Sequence, residues 1–204
     1  MSPTLPPHRL YTPLVGPIPL VPIRLGEDRP EIWCKLEFLN PSGSTKDRIA
    51  SFILAKAWRE ARINASSTVV EASSGSTSIA MAMVCAQLGL RFTAVMPEGV
   101  SSERLLIIRS FGGDVVFTPR SDGIVGAMRE AERIAREEGA FIPRQFENPD
   151  NAAAHRFRTA REIVVDLPGG TPDAVVSGVG TGGTLVGLYE GCLLYTSPSP
   201  RDPD

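Results

Sequence analysis

The feature that most constrains the fold is a regular alternation of short apolar runs with longer segments of helical spacing. Residues 68–71, 91–96 and 114–117 are typical of buried strands, and a segment with helical spacing follows each of them. Strands that alternate with helices form right-handed βαβ units on a parallel sheet. The sequence therefore predicts an α/β fold with a three-layer, parallel-sheet architecture.

The remaining segments extend this pattern in both directions. Further strand-like or extended segments are predicted near 32–37, 141–143 and 173–177. Helices are predicted at 45–62, 76–88, 101–111, 122–138 and 151–165, and a further helix begins near Thr184. Gly89 and Gly139 directly follow two of these helices, which is the usual position of a glycine that ends a helix.

Composition excludes several classes of protein. The 204 residues are 42% hydrophobic with a net charge of −2, which is typical of one large or two small globular domains. The chain has no basic run that would favour nucleic-acid binding and no apolar run of membrane length. Its three cysteines suggest no disulfide framework, and no Cys or His pair has metal-ligand spacing. The ligand spacing predicts that the protein binds no metal. Since no targeting segment is evident, we also expect a cytoplasmic protein.

One lysine lies in an unusual local setting. Residues 40–48 leave a strand-like segment, turn through Pro41 and Gly43, and open a helix with Lys46 in its first turn. Ser44 is the predicted N-cap, and Asp47 would complete a capping box. The helix dipole and partial burial both favour an uncharged amine, which is a nucleophile towards an aldehyde. On these residues alone, a solvated surface lysine is an equal alternative.

Two loops have the composition of anion-binding sites. Residues 73–77 bring hydroxyls and backbone N–H groups together at a strand-to-helix turn, which suits a carboxylate, although a serine-rich helix cap is the alternative. Residues 178–184 place four glycines between a strand-like segment and a helix, where backbone N–H groups bind phosphate. The same spacing matches dinucleotide-binding loops, so both pyridoxal phosphate and NAD stay open on this loop alone.

Four stretches together resemble a known family. Residues 40–48, 71–77, 145–151 and 178–184 are similar, in order, to the lysine, substrate, glutamine and phosphate motifs of the pyridoxal-phosphate-dependent cysteine synthase family. That family, of fold type II, includes cystathionine β-synthase. The similarity runs from about residue 16 to residue 191. It implies two Rossmann-like domains with the cofactor between them, and it favours pyridoxal phosphate over NAD.

The resemblance also implies roles for individual residues. Lys46 would form the Schiff base with pyridoxal phosphate and later act as the general base. Ser76 stands where the family usually has an asparagine that contacts the cofactor ring, so this contact is in question. The other implied cofactor ligands are Gly180, Thr181, Gly182, Gly183 and Thr184. The implied substrate ligands are Ser73, Ser74, Gly75, Thr77 and Gln145.

The activity that the resemblance implies is β-replacement on an activated serine. An O-acetylserine-like substrate would lose its leaving group, and sulfide would add to give L-cysteine. Cysteine desulfhydrase and cystathionine β-synthase activities would use the same motifs. From other classes, a nucleotide-dependent oxidoreductase and a non-catalytic relative remain alternatives. The family further suggests a homodimer.

The domain organisation also follows from the resemblance. Residues 1–39 and 146–191 would belong to a larger cofactor-binding domain, and residues 40–145 to a smaller mobile one. Residues 192–204 are rich in Pro and Ser, interrupt the last predicted helix, and look like a translated sequencing adapter. We therefore expect the C-terminal part of the larger domain, including its contact to the pyridine nitrogen, to be missing. Made as written, the chain should be poorly stable and inactive.

The two histidines are predicted to take no part in the chemistry. Neither His8 nor His155 has a partner at catalytic spacing. His155 lies in a predicted helix beside Arg156 and Arg158, which indicates a solvated face.

Overall fold

The structure, a computed structural model, describes residues 15–73 and 75–196, with side chains up to residue 192. Its strands are β1 (Leu20–Ile23), β2 (Ile32–Lys35), β3 (Thr68–Ala72), β4 (Arg91–Pro97) and β5 (Asp114–Thr118). Its first four α-helices are α1 (Lys46–Arg59), α2 (Ser76–Leu88), α3 (Ser102–Ser110) and α4 (Gly123–Glu138). They are followed by α5 (Asp150–Ala154), a π-helical turn (His155–Thr159), α6 (Ala160–Asp166) and α7 (Gly183–Thr196).

The central sheet is parallel, with strand order β3-β4-β5. Val69 pairs with Phe92 between β3 and β4, and Ala94 pairs with Val115 between β4 and β5. Phe141 extends the sheet beyond β3, since its amide donates to Thr68 O at 2.8 Å and its carbonyl accepts from Val70 N at 2.9 Å. The extended segment predicted near 141–143 therefore lies beside the first parallel strand.

Both faces of this sheet are covered by helices. Successive residues of a strand point to opposite faces, so Val69 and Val70 enter different cores. Val70 and Val95 pack with Ala127 and Ala131 of α4 on one face. On the other face, buried side chains of β3 and β4 pack against α1, α2 and α3, in a core formed by Val69, Phe92, Ala94, Met96, Ala50, Leu54, Met81, Val84, Cys85 and Ile108. This arrangement is the predicted three-layer α/β architecture.

The N-terminal strands form a separate antiparallel pair, in which Val21 is opposite Cys34. An ion network connects this pair to α1 and α6. The guanidinium of Arg48, which has no exposed surface, donates to Glu37 and Glu162. Glu162 also accepts from Ile18 N at 3.1 Å and lies 2.9 Å from Lys35 Nζ. Through these contacts the helix that begins at Lys46 is held against the hairpin.

Helix α7 packs closely against α5, the π-helical turn and α6 through a row of glycines. Gly183, Gly187 and Gly191 are four residues apart and therefore share one helix face. A Cβ at Gly187 would overlap Ala152 O and His155, and one at Gly191 would overlap Ala160. The glycines thus let two helical backbones approach closely.

Three sequence predictions about local structure are wrong. Residues 173–177 form no strand, because no described strand lies beside them; Val176 is 97% exposed. Helix α7 is not interrupted at Cys192 but continues to Thr196, and residues 197–204 lie outside the described part. The predicted cap of α1 also differs: the N-cap residue is Thr45 rather than Ser44, and its side chain makes no capping hydrogen bond. Asp47 accepts from Ser42 N at 2.7 Å, so its carboxylate stabilises the preceding turn.

The other helices and strands agree with the sequence pattern to within a few residues. Gly89 and Gly139 end α2 and α4 in the left-handed conformation, with φ of 70° and 65°. No helix in the described part is long and apolar enough to cross a membrane. The assignment of residues 40–145 to a smaller mobile domain, beside parts of a larger one, stays a prediction.

Candidate active site

Lys46 is the first residue of α1 and differs from the other lysines in its surroundings. The sequence has three lysines. Lys35 Nζ lies 2.9 Å from Glu162 Oε2, and Lys56 Nζ lies 2.6 Å from Asp150 Oδ1. Lys46 forms no ion pair with the described residues, and burial lowers the pKa of its amine. This is the direction that a nucleophilic amine requires.

The loop after β3 is only partly organised around its serines. Ser73 is buried; its Oγ accepts from Gly75 N at 3.1 Å, and its carbonyl accepts from Ser78 Oγ at 3.2 Å. Ser76 begins α2 and is exposed. Ser74, a predicted substrate ligand, lies outside the described residues. The first hydroxyl of the loop therefore shapes the turn.

Thr77 and Gln145, two predicted substrate ligands, are in direct contact. Thr77 Oγ1 donates to Gln145 Oε1 at 2.6 Å, and Gln145 Nε2 donates to Ala72 O at 2.8 Å. Both side chains are buried, with exposures of 3% and 4%. Phe141 pairs with β3, and Gln145 lies in the segment that follows it. The structure thus joins this segment and the loop after β3 in one hydrogen-bonded unit.

The carboxylate of Glu71 stabilises this hydrogen-bonded unit, a role that the sequence did not reveal. Its carboxylate accepts from Ala72 N at 2.9 Å and from Gln145 N at 3.2 Å, and its side chain is 2% exposed. Burial raises the pKa of Glu71 to about 7, against the opposing effect of these backbone donors. Arg144, directly before Gln145, has a positive φ of 56°, which is uncommon for a residue with a side chain.

The predicted phosphate loop lies at the N-terminus of the 14-residue helix α7. Gly182 has a φ of 80°, which favours glycine, and Val186 N donates to its carbonyl at 3.1 Å. A Cβ at Gly178, Gly180 or Gly182 would meet no heavy atom within 4 Å. The first N–H groups of a helix lack intrahelical partners, so this open loop is suited to an anion.

Asn151 connects the glutamine segment to the phosphate loop. Its Nδ2 donates to Gln145 O and to Thr181 Oγ1, each at 2.8 Å. A Cβ at Gly183 would overlap the Asn151 side chain, so glycine is required there for this contact. The predicted substrate and phosphate ligands are therefore parts of one continuous network.

His155 corrects a prediction made from the sequence. It is not on a solvated face: it has no exposed surface, and its neighbours Arg156 and Arg158 are themselves half-buried. Its Nε2 lies 3.2 Å from Thr184 Oγ1, a predicted phosphate ligand. Burial, followed by the positive charges of Arg48 and Lys46, lowers the pKa of His155 to about 3.

The sequence contained a signal for this arrangement. Asn151, His155 and Thr159 are spaced by four residues, as are the glycines of α7, and both patterns indicate helix faces in contact. Among the residues that the structure describes, no group of His, Cys, Asp and Glu side chains is arranged to hold a metal ion.

Comparison with known proteins decides the family. Residues 11–201 match the family described as pyridoxal-phosphate dependent enzyme. The chain belongs to this family. The α/β fold and the pyridoxal-phosphate cofactor expected from the sequence are thereby confirmed.

Individual members of the pyridoxal-phosphate dependent family resemble the chain closely. Cysteine synthase of Staphylococcus aureus strain Mu50 is 41% identical over 179 residues, which cover 87% of this chain and 58% of that protein. The crystal structure of O-ureido-L-serine synthase superposes with a TM-score of 0.85 at 37% identity, covering 90% of this chain and 58% of its own. A hydrogen sulfide-producing enzyme from Fusobacterium nucleatum has a TM-score of 0.84 at 36% identity, with coverage of 90% and 62%.

These relatives also set the scale of the chain. It spans 58% of the length of the Staphylococcus aureus cysteine synthase.

Proposed function

We propose that the protein catalyses β-replacement on an O-acetylserine-like substrate, with sulfide as the second substrate and L-cysteine as the product. The observation that carries this proposal is the hydrogen-bonded path from Thr77 through Gln145 and Asn151 to Thr181. This path joins a loop suited to an amino-acid carboxylate to a loop suited to a phosphate. An enzyme that acts on an amino acid through a phosphorylated cofactor needs both in fixed relation.

The residues present fit pyridoxal phosphate. The glycine loop is open at a helix N-terminus, and Lys46 has a partly buried amine without an ion pair in the described chain. Thr45 Oγ1, on the neighbouring residue, is buried and has no hydrogen-bond partner among the described residues. An unsatisfied buried hydroxyl is costly, so a ligand that supplied a hydrogen-bond partner there would be stabilised.

Each group of residues in the chain would then have its own role. Bound pyridoxal phosphate supplies an aldehyde and an electron-withdrawing ring. The amine of Lys46 anchors the cofactor and, once released, removes the Cα proton of the amino acid. Gly180 to Thr184 hold the phosphate, and Ser73 to Thr77 with Gln145 hold the substrate carboxylate. Ser76 is too short to replace an asparagine directly, so a contact to the cofactor ring would require a bridging water.

The substrate carboxylate must compete with an existing contact. Thr77 has one hydroxyl hydrogen, and it is donated to Gln145 Oε1. A carboxylate accepts hydrogen bonds only, so Thr77 must release Gln145 before it can donate to the substrate. The second N–H of Gln145 Nε2, by contrast, can reach a carboxylate while the first remains on Ala72 O.

The test begins with Lys46→Ala in the protein that carries this sequence. We expect loss of the cofactor absorbance, loss of a borohydride-stable attachment at this lysine, and a more than ~100-fold fall in cysteine formation from O-acetylserine and sulfide. Lys56→Arg, which keeps the ion pair with Asp150, is the matched control. Unchanged absorbance and turnover in Lys46→Ala would show that the assignment of Lys46 is wrong.

β-Elimination is the second candidate, because a structural neighbour is a hydrogen sulfide-producing enzyme. Cystathionine β-synthase activity is a further variant of the same reaction. Product analysis separates the three: cysteine from sulfide, cystathionine from homocysteine, and sulfide released from cysteine. For the oxidoreductase alternative, NAD rather than pyridoxal phosphate would raise the unfolding temperature. The proposed homodimer is tested by the mass of the protein in solution.

A further inference from the structure

His155 is a buried imidazole with a threonine hydroxyl at each ring nitrogen. Nδ1 lies 3.0 Å from Thr159 Oγ1, and Nε2 lies 3.2 Å from Thr184 Oγ1. The ring has no exposed surface, and Thr159 is 3% exposed. Each hydroxyl can either donate or accept, so the hydrogen positions of all three residues are coupled.

The imidazole is neutral in this environment. Burial in the helical layer, together with the positive charges of Arg48 and Lys46 on α1, lowers the pKa of His155 to about 3. A neutral imidazole carries a single N–H, so one ring nitrogen donates and the other accepts. Two arrangements are therefore available, and they differ in what Thr184 offers to the phosphate loop.

If Nδ1 carries the hydrogen, Thr184 must donate to Nε2. Its oxygen then presents only lone pairs to the loop, which would repel the oxygens of a phosphate. If Nε2 carries the hydrogen, Nε2 donates to Thr184, and Thr159 donates to Nδ1. The hydroxyl hydrogen of Thr184 is then free for an anion, whose oxygens can only accept.

The hydroxyl of Thr181, the other threonine of the loop, already has its hydrogen free for an anion. Thr181 Oγ1 accepts from Asn151 Nδ2 at 2.8 Å and from Gly183 N at 3.4 Å. The orientation of the Asn151 amide is determined by Gln145 O, a carbonyl that can only accept. Both lone pairs of Thr181 are engaged, and its hydrogen remains for a ligand.

We propose that His155 is a positioning residue, held by Thr159 in the Nε2–H tautomer so that the hydroxyl hydrogen of Thr184 points to the phosphate in the glycine loop. The proposal rests on the proposed function, because it assumes a phosphate at Gly180 to Thr184. It adds that α5 and the π-helical turn select anions by supplying donors to both loop threonines, through Asn151 and through His155.

The tautomer is measured by ¹⁵N NMR on histidine-labelled protein, with the His155 signals identified by their loss in His155→Gln. We expect the signature of a neutral ring with the hydrogen on Nε2, unchanged when the pH is lowered from 8 to 5, since the pKa lies near 3. An Nδ1–H signature, or an average of both tautomers, would overturn the proposal. This measurement requires no cofactor and no activity.

A second measurement tests the consequence for binding. Thr159→Val removes the donor to Nδ1 at nearly unchanged volume, and Thr159→Ser retains it. We expect Thr159→Val to weaken binding of pyridoxal phosphate about 10-fold while binding of unphosphorylated pyridoxal is unchanged, and Thr159→Ser to behave as the parent. The ³¹P signal of the bound ligand should shift only in Thr159→Val.

Binding of pyridoxal and pyridoxal phosphate distinguishes an error in the proposed function from an error in the role of His155. If the parent protein binds pyridoxal as tightly as pyridoxal phosphate, the glycine loop is not a phosphate site and the proposed function is wrong. If the parent prefers the phosphorylated ligand but Thr159→Val keeps that preference, the phosphate site stands and the role of His155 is wrong.

Discussion

Thr77 and Gln145 are 68 residues apart in sequence, yet the Thr77 hydroxyl donates to the Gln145 side chain at 2.6 Å inside the protein. Since Gln145 also donates to Ala72 O, this amide links β3, α2 and the segment before α5. A buried amide with this many partners has one defined position, which is what a substrate-binding side chain requires.

Thr77→Val tests the strength of this link. The substitution leaves Gln145 Oε1 buried without a donor, so we expect a loss of about 1–3 kcal/mol in the free energy of unfolding. Thr77→Ser keeps the hydroxyl and serves as the control. Urea denaturation measures both. A Thr77→Val variant as stable as the parent would show that this hydrogen bond contributes nothing to stability.

The ion network around Arg48 predicts a larger loss in the free energy of unfolding. Glu162 is joined to Arg48 by bonds of 2.7 Å and 2.8 Å, and Arg48 is fully buried. Glu162→Gln leaves part of the guanidinium charge uncompensated, and we expect a loss of about 3 kcal/mol. Asp166→Asn, at the exposed end of the same network, should cost less than about 1 kcal/mol.

Glu162 also gives the protein a dependence on acid. Burial opposes ionisation, but the hydrogen bonds from Arg48 and Lys35 and the charge of Arg48 outweigh it and hold the pKa of Glu162 at about 2, below its ordinary 4.5. A carboxylate with a lowered pKa stabilises the fold above pH 4.5, and this contribution is lost as the pH falls towards 2. Urea midpoints between these limits should fall with decreasing pH in the parent and much less in Glu162→Gln.

The raised pKa of Glu71 predicts the opposite effect, a loss of stability as the pH rises. Burial raises the pKa of Glu71 from 4.5 to about 7, so the folded protein holds this proton more tightly than the unfolded chain. The stabilisation is complete below pH 4.5 and is lost as the pH rises through 7. Glu71→Gln should remove this decline in stability, whereas the control Glu98→Gln, at an exposed position, should retain it. A parent stability that rises over this interval contradicts the assignment.

The glycine row of α7 is tested by Gly187→Ala. The added Cβ meets backbone atoms of Ala152 and Arg156, which cannot rotate away, so we expect about 1–3 kcal/mol of destabilisation. Gly178→Ala adds the same atom where nothing lies within 4 Å, and its stability should match the parent. Thermal unfolding of the pair measures the difference; equal unfolding temperatures would mean that α7 does not pack as described.

The sequence predicted much of the fold because its signals are local. The α2 helix begins and ends where helical spacing and Gly89 placed it, and β3 to β5 follow the apolar runs. These features depend on periodicity and on backbone preference, which neighbouring residues carry. By contrast, the apolar run at 173–177 has strand composition but no described partner strand, and a strand is stabilised by pairing with another.

For the site, the sequence alone predicted the motif residues: Lys46, the hydroxyl-rich loop, Gln145 and the glycine loop. Only the tertiary structure decided which residues support them. His155 and Glu71 are ordinary polar residues in the sequence, and folding buries them next to Thr184 and Gln145. Burial removes water as an alternative partner, so a hydrogen bond between distant residues becomes obligatory, and no local pattern encodes that.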